Sequence, residues 1–266
     1  ILIVLATIAG FLFWQWRDLD MVITGGLVVD GTGAPPFSGD VAIRNGKIVG
    51  VSRWLYRLAP ARSYIDARGK IVAPGFIDVH THVEANLSAS AQFKPANFLK
   101  QGVTTIITGN CGRSRTDVAA MFSAMERNGS YINVATLVGH NSVRRQVMEQ
   151  AARAPSTEEL QRMKTLTARA LDEGALGFST GLAYAPGRFA MFDELVALAK
   201  TAAERGGIYA SHVRNEASEG EEAILEALNI GKQSGAVVQI SHIKCSGRRQ
   251  WDSMGRRLNL LAKARA

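Results

Sequence analysis

Disulfide bonding cannot organise this chain: two cysteines in 266 residues are too few for the framework of a small cross-linked fold. Aromatic side chains are also sparse, at 7%, and no aromatic-basic stripe stands out. Arg144-Arg145, Arg248-Arg249 and Arg256-Arg257 are scattered local pairs. The net charge of +8 therefore reads as solvated surface, and no nucleic-acid partner is expected. No Gly-rich loop follows the first strand of the parallel pattern, so a doubly wound sheet built around a phosphate cradle has no support. The uncharged apolar run from Ile1 to Trp14 falls short of the ~20 residues that a spanning helix needs.

What that run can do is anchor. No small-x-small cleavage site precedes Trp14-Gln15-Trp16-Arg17, and two tryptophans beside Arg17 and Asp18 suit a membrane interface. Residues 1–20 are read as a hydrophobic signal or anchor segment, with a membrane tether through residues 1–16. The remainder then lies in the cell envelope, at the periplasmic face of the inner membrane or in the periplasm. A cleaved signal peptide is one alternative. Another is upstream sequence ahead of a start at Met21, with a cytoplasmic protein.

Residues 21–70 read as short strands, Met21–Val29, Asp40–Ile43, Lys47–Ser52 and Ser63–Asp66. Asp30-Gly31-Thr32-Gly33, Arg44-Asn45-Gly46 and Arg68-Gly69 form the turns, giving a small antiparallel β unit. From Ile71 the rhythm becomes that of parallel βαβ units. Six buried strands are expected at 71–79, 103–109, 131–138, 175–180, 206–211 and 236–241. Ser156-Thr157-Glu158-Glu159 is a capping box whose helix Gly174 stops. Further helices run over Phe192–Arg205, Glu221–Ser234 and Gly255 to Ala266. The fold class is α/β, a (β/α)8 TIM-type barrel over residues 71–266. About six of its eight units lie within the chain.

Histidine is scarce too, five in all, yet they fall at or just after strand ends, and four of them are candidate ligands. His80 and His82 follow the first strand, and residues two apart on a strand share a face. His212 and His242 end the fifth and sixth strands, and Cys111 follows the second. Imidazole and thiolate are preferred ligands of zinc-like ions, and active sites of such barrels gather at the carboxyl ends of the strands. All five are candidate ligands, with Cys111 able to bridge two ions. His140, after the third strand, is read as a non-ligand: a neighbour's donor, an oxyanion contact or a structural cap. Asp78 orients a neighbouring group. Lys244 points to the same side as His242, where a cation suits an anionic substrate group or is an ordinary loop lysine.

The stretches PGFIDVHTH (74–82), GVTTIITGNCG (102–112), ATLVGH (135–140), GALGFSTGLAYAPG (174–187), GIYASHVRNE (207–216) and QISHIKCSG (239–247) closely resemble the amidohydrolase superfamily. Within it they resemble the N-acyl-D-amino-acid deacylases, or D-aminoacylases. The resemblance implies that residues 21–70 are the N-terminal part of a small β-sandwich domain. It also implies hydrolysis of a linear amide, releasing a carboxylic acid and a free D-amino acid from a small-molecule N-acyl amino acid. By resemblance, Cys111, His212 and His242 form the tight Zn2+ site, and His80 and His82 belong to a second, weaker one. Lys244 and Tyr184 grip the substrate carboxylate.

Two departures stand out. Val83-Glu84 replaces the pair of acidic residues many deacylases carry after the His-x-His. The family's catalytic aspartate, the general base, comes from the eighth barrel strand and is expected beyond residue 266; Asp252 does not take its place. The chain on its own is therefore expected to be inactive. A cyclic-amide hydrolase of the dihydroorotase or hydantoinase kind is the alternative. It usually carries a bridging lysine on the fourth strand, which Ala175–Thr180 lacks. A non-catalytic assembly protein is a further alternative.

Overall fold

The computed structural model describes residues 19–87 and 93–265. The expected tether through residues 1–16 lies outside them. Among the described residues no helix is long and apolar enough to cross a membrane. The chain divides into two units, residues 1–75 and 76–266.

The first unit holds Leu19–Val28 (β1), Phe37–Arg44 (β2), Lys47–Ser52 (β3), Ala61–Asp66 (β4) and Ile71–Val72 (β5). They form one sheet in the order β3-β2-β1-β4, with β5 also on β1. Asn45 and Gly46 both take positive φ, 51° and 70°, the two-residue hairpin turn that matches strand twist between β2 and β3. The sheet is mixed and not antiparallel as expected, because β4 and β5 run parallel to β1. They share one edge of β1, divided by an irregularity between Ile23 and Gly26. A Cβ on Gly26 would lie 2.4 Å from Val72 Cγ2, so only glycine admits β5 there. Leu19, Val22, Ala42, Tyr56 and Ala59 form this unit's core.

The second unit comprises Phe76–Asp78 (β6), Glu84–Leu87 (α1), Ala96–Leu99 (α2), Val103–Thr108 (β7), Val118–Asn128 (α3), Asn133–Thr136 (β8) and Val138–Gly139 (β9). His140–Met148 (α4), Thr157–Asp172 (α5), Gly177–Gly181 (β10), Phe192–Ala203 (α6), Ile208–His212 (β11), Gly220–Ser234 (α7), Val238–Ile240 (β12) and Met254–Arg265 (α8) follow. Every strand pairing here is parallel, β6-β7-β8 and β9-β10-β11-β12. Strands β8 and β9 are one barrel position interrupted at Leu137, whose N–H donates to Thr108 O at 2.9 Å. The spatial order therefore follows the sequence, as in successive units of a (β/α)8 barrel.

The expected strand 71–79 divides: Ile71–Val72 joins the first unit, and β6 starts at Phe76. The division between the units falls after Gly75, five residues later than the expected one after residue 70, because β5 still pairs with β1. Nor is β6 buried: Phe76 and Ile77 are 65% and 61% exposed, since among the described residues only β7 pairs with it. Strand β10, by contrast, is buried at all five positions, as expected of a parallel strand covered on both faces.

Helix α5 opens on the expected capping box. Ser156 Oγ accepts from Glu159 N at 3.2 Å and Glu159 Oε2 accepts from Ser156 N at 2.7 Å. Its buried face, Met163, Thr167, Ala170 and Leu171, follows helical period. Helix α7 stops at Gly235 in the left-handed conformation, which favours glycine. Phe178, Leu195, Leu198, Tyr209 and Ile224 belong to the continuous core between strands and helices.

Candidate metal centre

The candidate metal ligands gather at the carboxyl ends of the strands. His80 and His82 sit just past β6, Cys111 past β7, His212 at the last position of β11 and His242 past β12. The backbone past β6 still follows its neighbour, with Thr81 N donating to Ile107 O at 3.0 Å. Asp78 accepts the His80 N–H at 3.1 Å, which orients the turn into the His-x-His.

The Cys111 loop is over-determined. Gly109, Cys111 and Gly112 all take positive φ, 78°, 52° and 73°, a conformation glycine adopts freely and cysteine does not. Ser179 Oγ donates to Gly109 O and accepts from Gly112 N. Asn110 Nδ2 donates to Val79 O and Ile107 O, and Glu84 Oε1 accepts from Gly109 N. A Cβ on Gly181 would sit 2.1 Å from Cys111 O, so the neighbouring strand must carry glycine. Glu84, after the His-x-His, thus serves to fix the thiol loop.

Cys111 Sγ lies 3.5 Å from His80 Nε2, 3.4 Å from His212 Nδ1 and 3.6 Å from His242 Nε2. A tetrahedral ion with a ~2.3 Å bond to sulfur and ~2.05 Å bonds to nitrogen spaces those ligands roughly 3.5 Å apart. The donor set therefore fits a zinc-type ion. Two groups share the cysteine, Cys111 with His212 and His242, and Cys111 with His80 and His82. In each, the ligand atoms lie within 4.8 Å of one another.

Burial lowers His80 and His212 to pKa values of about 4, helped at His80 by the neighbouring His242 and His82 and opposed at His212 by Glu216. Both imidazoles are neutral near pH 7, with a lone pair available. Burial, reinforced by Glu216, pushes the Cys111 thiol up to about 11. The thiol holds its proton until a cation displaces it.

Glu216, not singled out from the sequence, stands behind the histidines. Its Oε1 lies 3.0 Å from His242 Nδ1, 3.9 Å from His212 Nε2 and 2.6 Å from Lys244 Nζ. An Nδ1–H directed at Glu216 leaves His242 Nε2 free to face the sulfur, the usual way an outer carboxylate sets a ligand's tautomer. Buried Arg257 donates to Glu216 O, Ala217 O and Lys244 O, tying the loops after β11 and β12 together. The only signal in the sequence was an acidic residue four beyond a strand-end histidine.

The structure brings Lys244 to the same cluster, with its ammonium on Glu216 and 2.9 Å from His242 Nδ1. Tyr184 is half-exposed, its ring centroid 4.7 Å from that of His212. Burial, with Cys111 and Glu216 nearby, pushes its phenol upward. His140 stands apart from the five: its Nε2 meets Glu194 Oε1 at 2.8 Å, and Arg144 Nη1 meets the other carboxylate oxygen. All three are fully buried, a structural cluster consistent with a non-ligand. Both cysteines are free thiols, and Asp252 lies in a 3₁₀ turn between β12 and α8.

Residues 63–241 match the amidohydrolase family model. The chain belongs to the amidohydrolase family. This amidohydrolase is 39% identical to the N-acyl-D-glutamate deacylase of Alcaligenes xylosoxydans xylosoxydans, over 94% of this chain and 55% of the relative. It superposes on the N-acyl-D-glutamate deacylase of Bordetella bronchiseptica, solved with zinc and a phosphonate inhibitor. There the TM-score is 0.87 at 40% identity, covering 94% of this chain and 56% of that one. A D-aminoacylase structure, described as having a binuclear metal centre, matches with TM-score 0.86 at 32% identity, over 92% of this chain and 56% of the other. A D-hydantoinase at 22% identity and TM-score 0.61 shares the fold alone. The amidohydrolase chain spans about half the length of the relatives it matches.

Proposed function

We propose that the protein hydrolyses the linear amide of N-acyl-D-amino acids, releasing a carboxylic acid and a free D-amino acid. The observation that carries this is the shared thiol: Cys111 Sγ within 3.4–3.6 Å of three imidazoles, the cysteine-type centre of an amidohydrolase. Likeness to N-acyl-D-glutamate deacylases and a D-aminoacylase supports the linear amide over the cyclic one.

Cys111, His212 and His242 would hold one Zn2+ tightly, and His80 and His82 with Cys111 a second more weakly. When bound, such an ion lowers the pKa of water and polarises a carbonyl. The remaining work falls to the side chains. Glu216 fixes His242 and holds the Lys244 ammonium in place. An ammonium has three donors, so Lys244 can serve Glu216 and a substrate carboxylate together, with the Tyr184 hydroxyl as a second donor to that carboxylate. That grip presents the acyl carbon to the cysteine side of the site. The proton acceptor is assigned to an aspartate outside the 266 residues. The apolar segment 1–16 supports a tether in the cell envelope, which fractionation into membrane and soluble pools tests.

Elemental analysis of the protein and its Cys111→Ala variant tests the centre. About one tightly held zinc per chain, lost on substitution, is the expected outcome for three ligands that share a thiolate. Zinc retained by the variant refutes the cysteine-type site and restores the cyclic-amide reading. Turnover of N-acetyl-D-amino acids, and not of hydantoins, by a chain that includes that aspartate tests the chemistry.

A further inference from the structure

The crossover from β3 to β4 in the first unit, Arg53-Trp54-Leu55-Tyr56-Arg57-Leu58-Ala59-Pro60, was not singled out from the sequence. Its apolar side chains divide into two sets. Leu55, Tyr56 and Ala59 turn inward and pack with Leu19, Val22 and Ala42. Trp54 and Leu58 turn outward, 74% and 88% exposed. Leu58 is the most exposed large apolar side chain among the described residues.

That exposure is held in place. Tyr56 lies over Gly50, where a Cβ would collide with its hydroxyl. Ser52 Oγ accepts from Leu55 N at 3.2 Å, and Ala59 N donates to Tyr56 O at 3.1 Å. The Tyr64 hydroxyl closes the exit, donating to Ala59 O and accepting from Ala61 N, both at 2.9 Å. A crossover pinned to its own core keeps Trp54 and Leu58 in water, and apolar surface fixed in this way marks a contact.

The charges say with what. Residues 53–62 carry three arginines, Arg53, Arg57 and Arg62, and no acidic residue. All three are exposed. Arg53 stacks over the Phe37 ring at 4.8 Å, and Arg62 Nη1 lies 3.7 Å from Asp20 Oδ1. The crossover finishes beside Leu19, because Leu19 and Ala61 are register partners at the starts of parallel β1 and β4. Just before Leu19 in sequence come Trp14, Trp16 and Arg17, and before them the uncharged apolar run. That run is too short to span a bilayer, so attachment through it is interfacial and gains from a second, basic and aromatic contact.

We propose that residues 53–62 dock on a bilayer surface containing anionic phospholipid. Trp54 and Leu58 enter at headgroup level, where tryptophan is favoured, and Arg53, Arg57 and Arg62 meet the lipid phosphates. This rests on the reading of residues 1–16 as a tether, and not on the deacylase chemistry.

The test reads Trp54 in the full-length protein, as the difference between its fluorescence and that of the Trp54→Phe variant. Vesicles are phosphatidylcholine alone or mixed with phosphatidylglycerol, with and without brominated acyl chains that quench on contact. The expected Trp54 emission is that of a water-exposed indole in solution. On the mixed vesicles it should move to shorter wavelength and be quenched. Arg53→Glu combined with Arg57→Glu should lower the ratio of docked to undocked crossover roughly 25-fold or more, about fivefold for each charge lost. The variant should still sediment with the vesicles and keep its circular dichroism. Trp54 that stays water-exposed on sedimented protein overturns the docking surface and leaves the tether. Short-wavelength emission before vesicles are added overturns it as well, since the rest of the protein or a second copy then covers the patch. Docking that is equal on neutral vesicles, or untouched by the charge reversal, overturns the anionic surface. A chain that sediments with neither kind of vesicle refutes tether and docking together.

Discussion

At the scale of single residues, the centre depends on groups that do not themselves face the sulfur. Glu216 illustrates this: its carboxylate sits 3.0 Å from the outer nitrogen of His242. Glu216→Ala removes the acceptor that fixes the imidazole's tautomer, and outer carboxylates of this kind are worth about 10–100-fold in metal affinity. Zinc affinity, measured by competition with a chelating dye, should fall by that order, while Lys244→Met should leave it within a few-fold. Equal losses in both variants would mean that Glu216 acts only through the ammonium. The five histidine and cysteine positions were legible because strand ends and donor chemistry can be read locally. Glu216 was not, because its approach to His242 depends on how two loops separated by α7 pack, and Arg257 sets that packing from a third element.

Between elements, the buried cluster of His140, Arg144 and Glu194 joins α4 to α6. Burial acts to raise the Glu194 carboxyl, but the hydrogen bonds and charges of His140 and Arg144 outweigh it and hold the group below its ordinary 4.5. A carboxyl whose folded pKa is depressed stabilises the fold fully above its unfolded value. That stabilisation disappears as pH falls through the lower, folded value. Glu194→Gln leaves the Arg144 guanidinium buried without its counter-charge, at a cost of about 3–5 kcal/mol near neutral pH. Urea unfolding should give that difference at pH 7 and a smaller one well below pH 4.5. A difference independent of pH would assign the cost to packing. None of this was visible in His140 as a strand-end residue, because Glu194 is distant in sequence. Secondary structure was far more legible. The capping box of α5 and the glycine stops of the helices are local chemistry and lie where expected. The split of 71–79 escaped notice because an apolar run does not reveal which sheet each half joins.

For the whole molecule, the order of the strands decides which edges are left to pair. The parallel strands leave β6 and β12 at the two edges among the described residues. Phe76 and Ile77 on β6 and Val237 beside β12 are 65%, 61% and 74% exposed. An unpaired strand with apolar side chains is a template for another chain. Expressed alone, these 266 residues should associate, with an apparent mass in light scattering that rises with concentration. A charge on an edge strand opposes such pairing, so Ile77→Lys should shift the distribution toward monomer without loss of helical circular dichroism. Ile77 is not itself a proposed ligand, so zinc content serves as the control for a native site. A chain that is monomeric at every concentration would show that its edges are covered from within. An associating chain that Ile77→Lys leaves unchanged would move the sticky edge to β12, where Val237→Lys repeats the test.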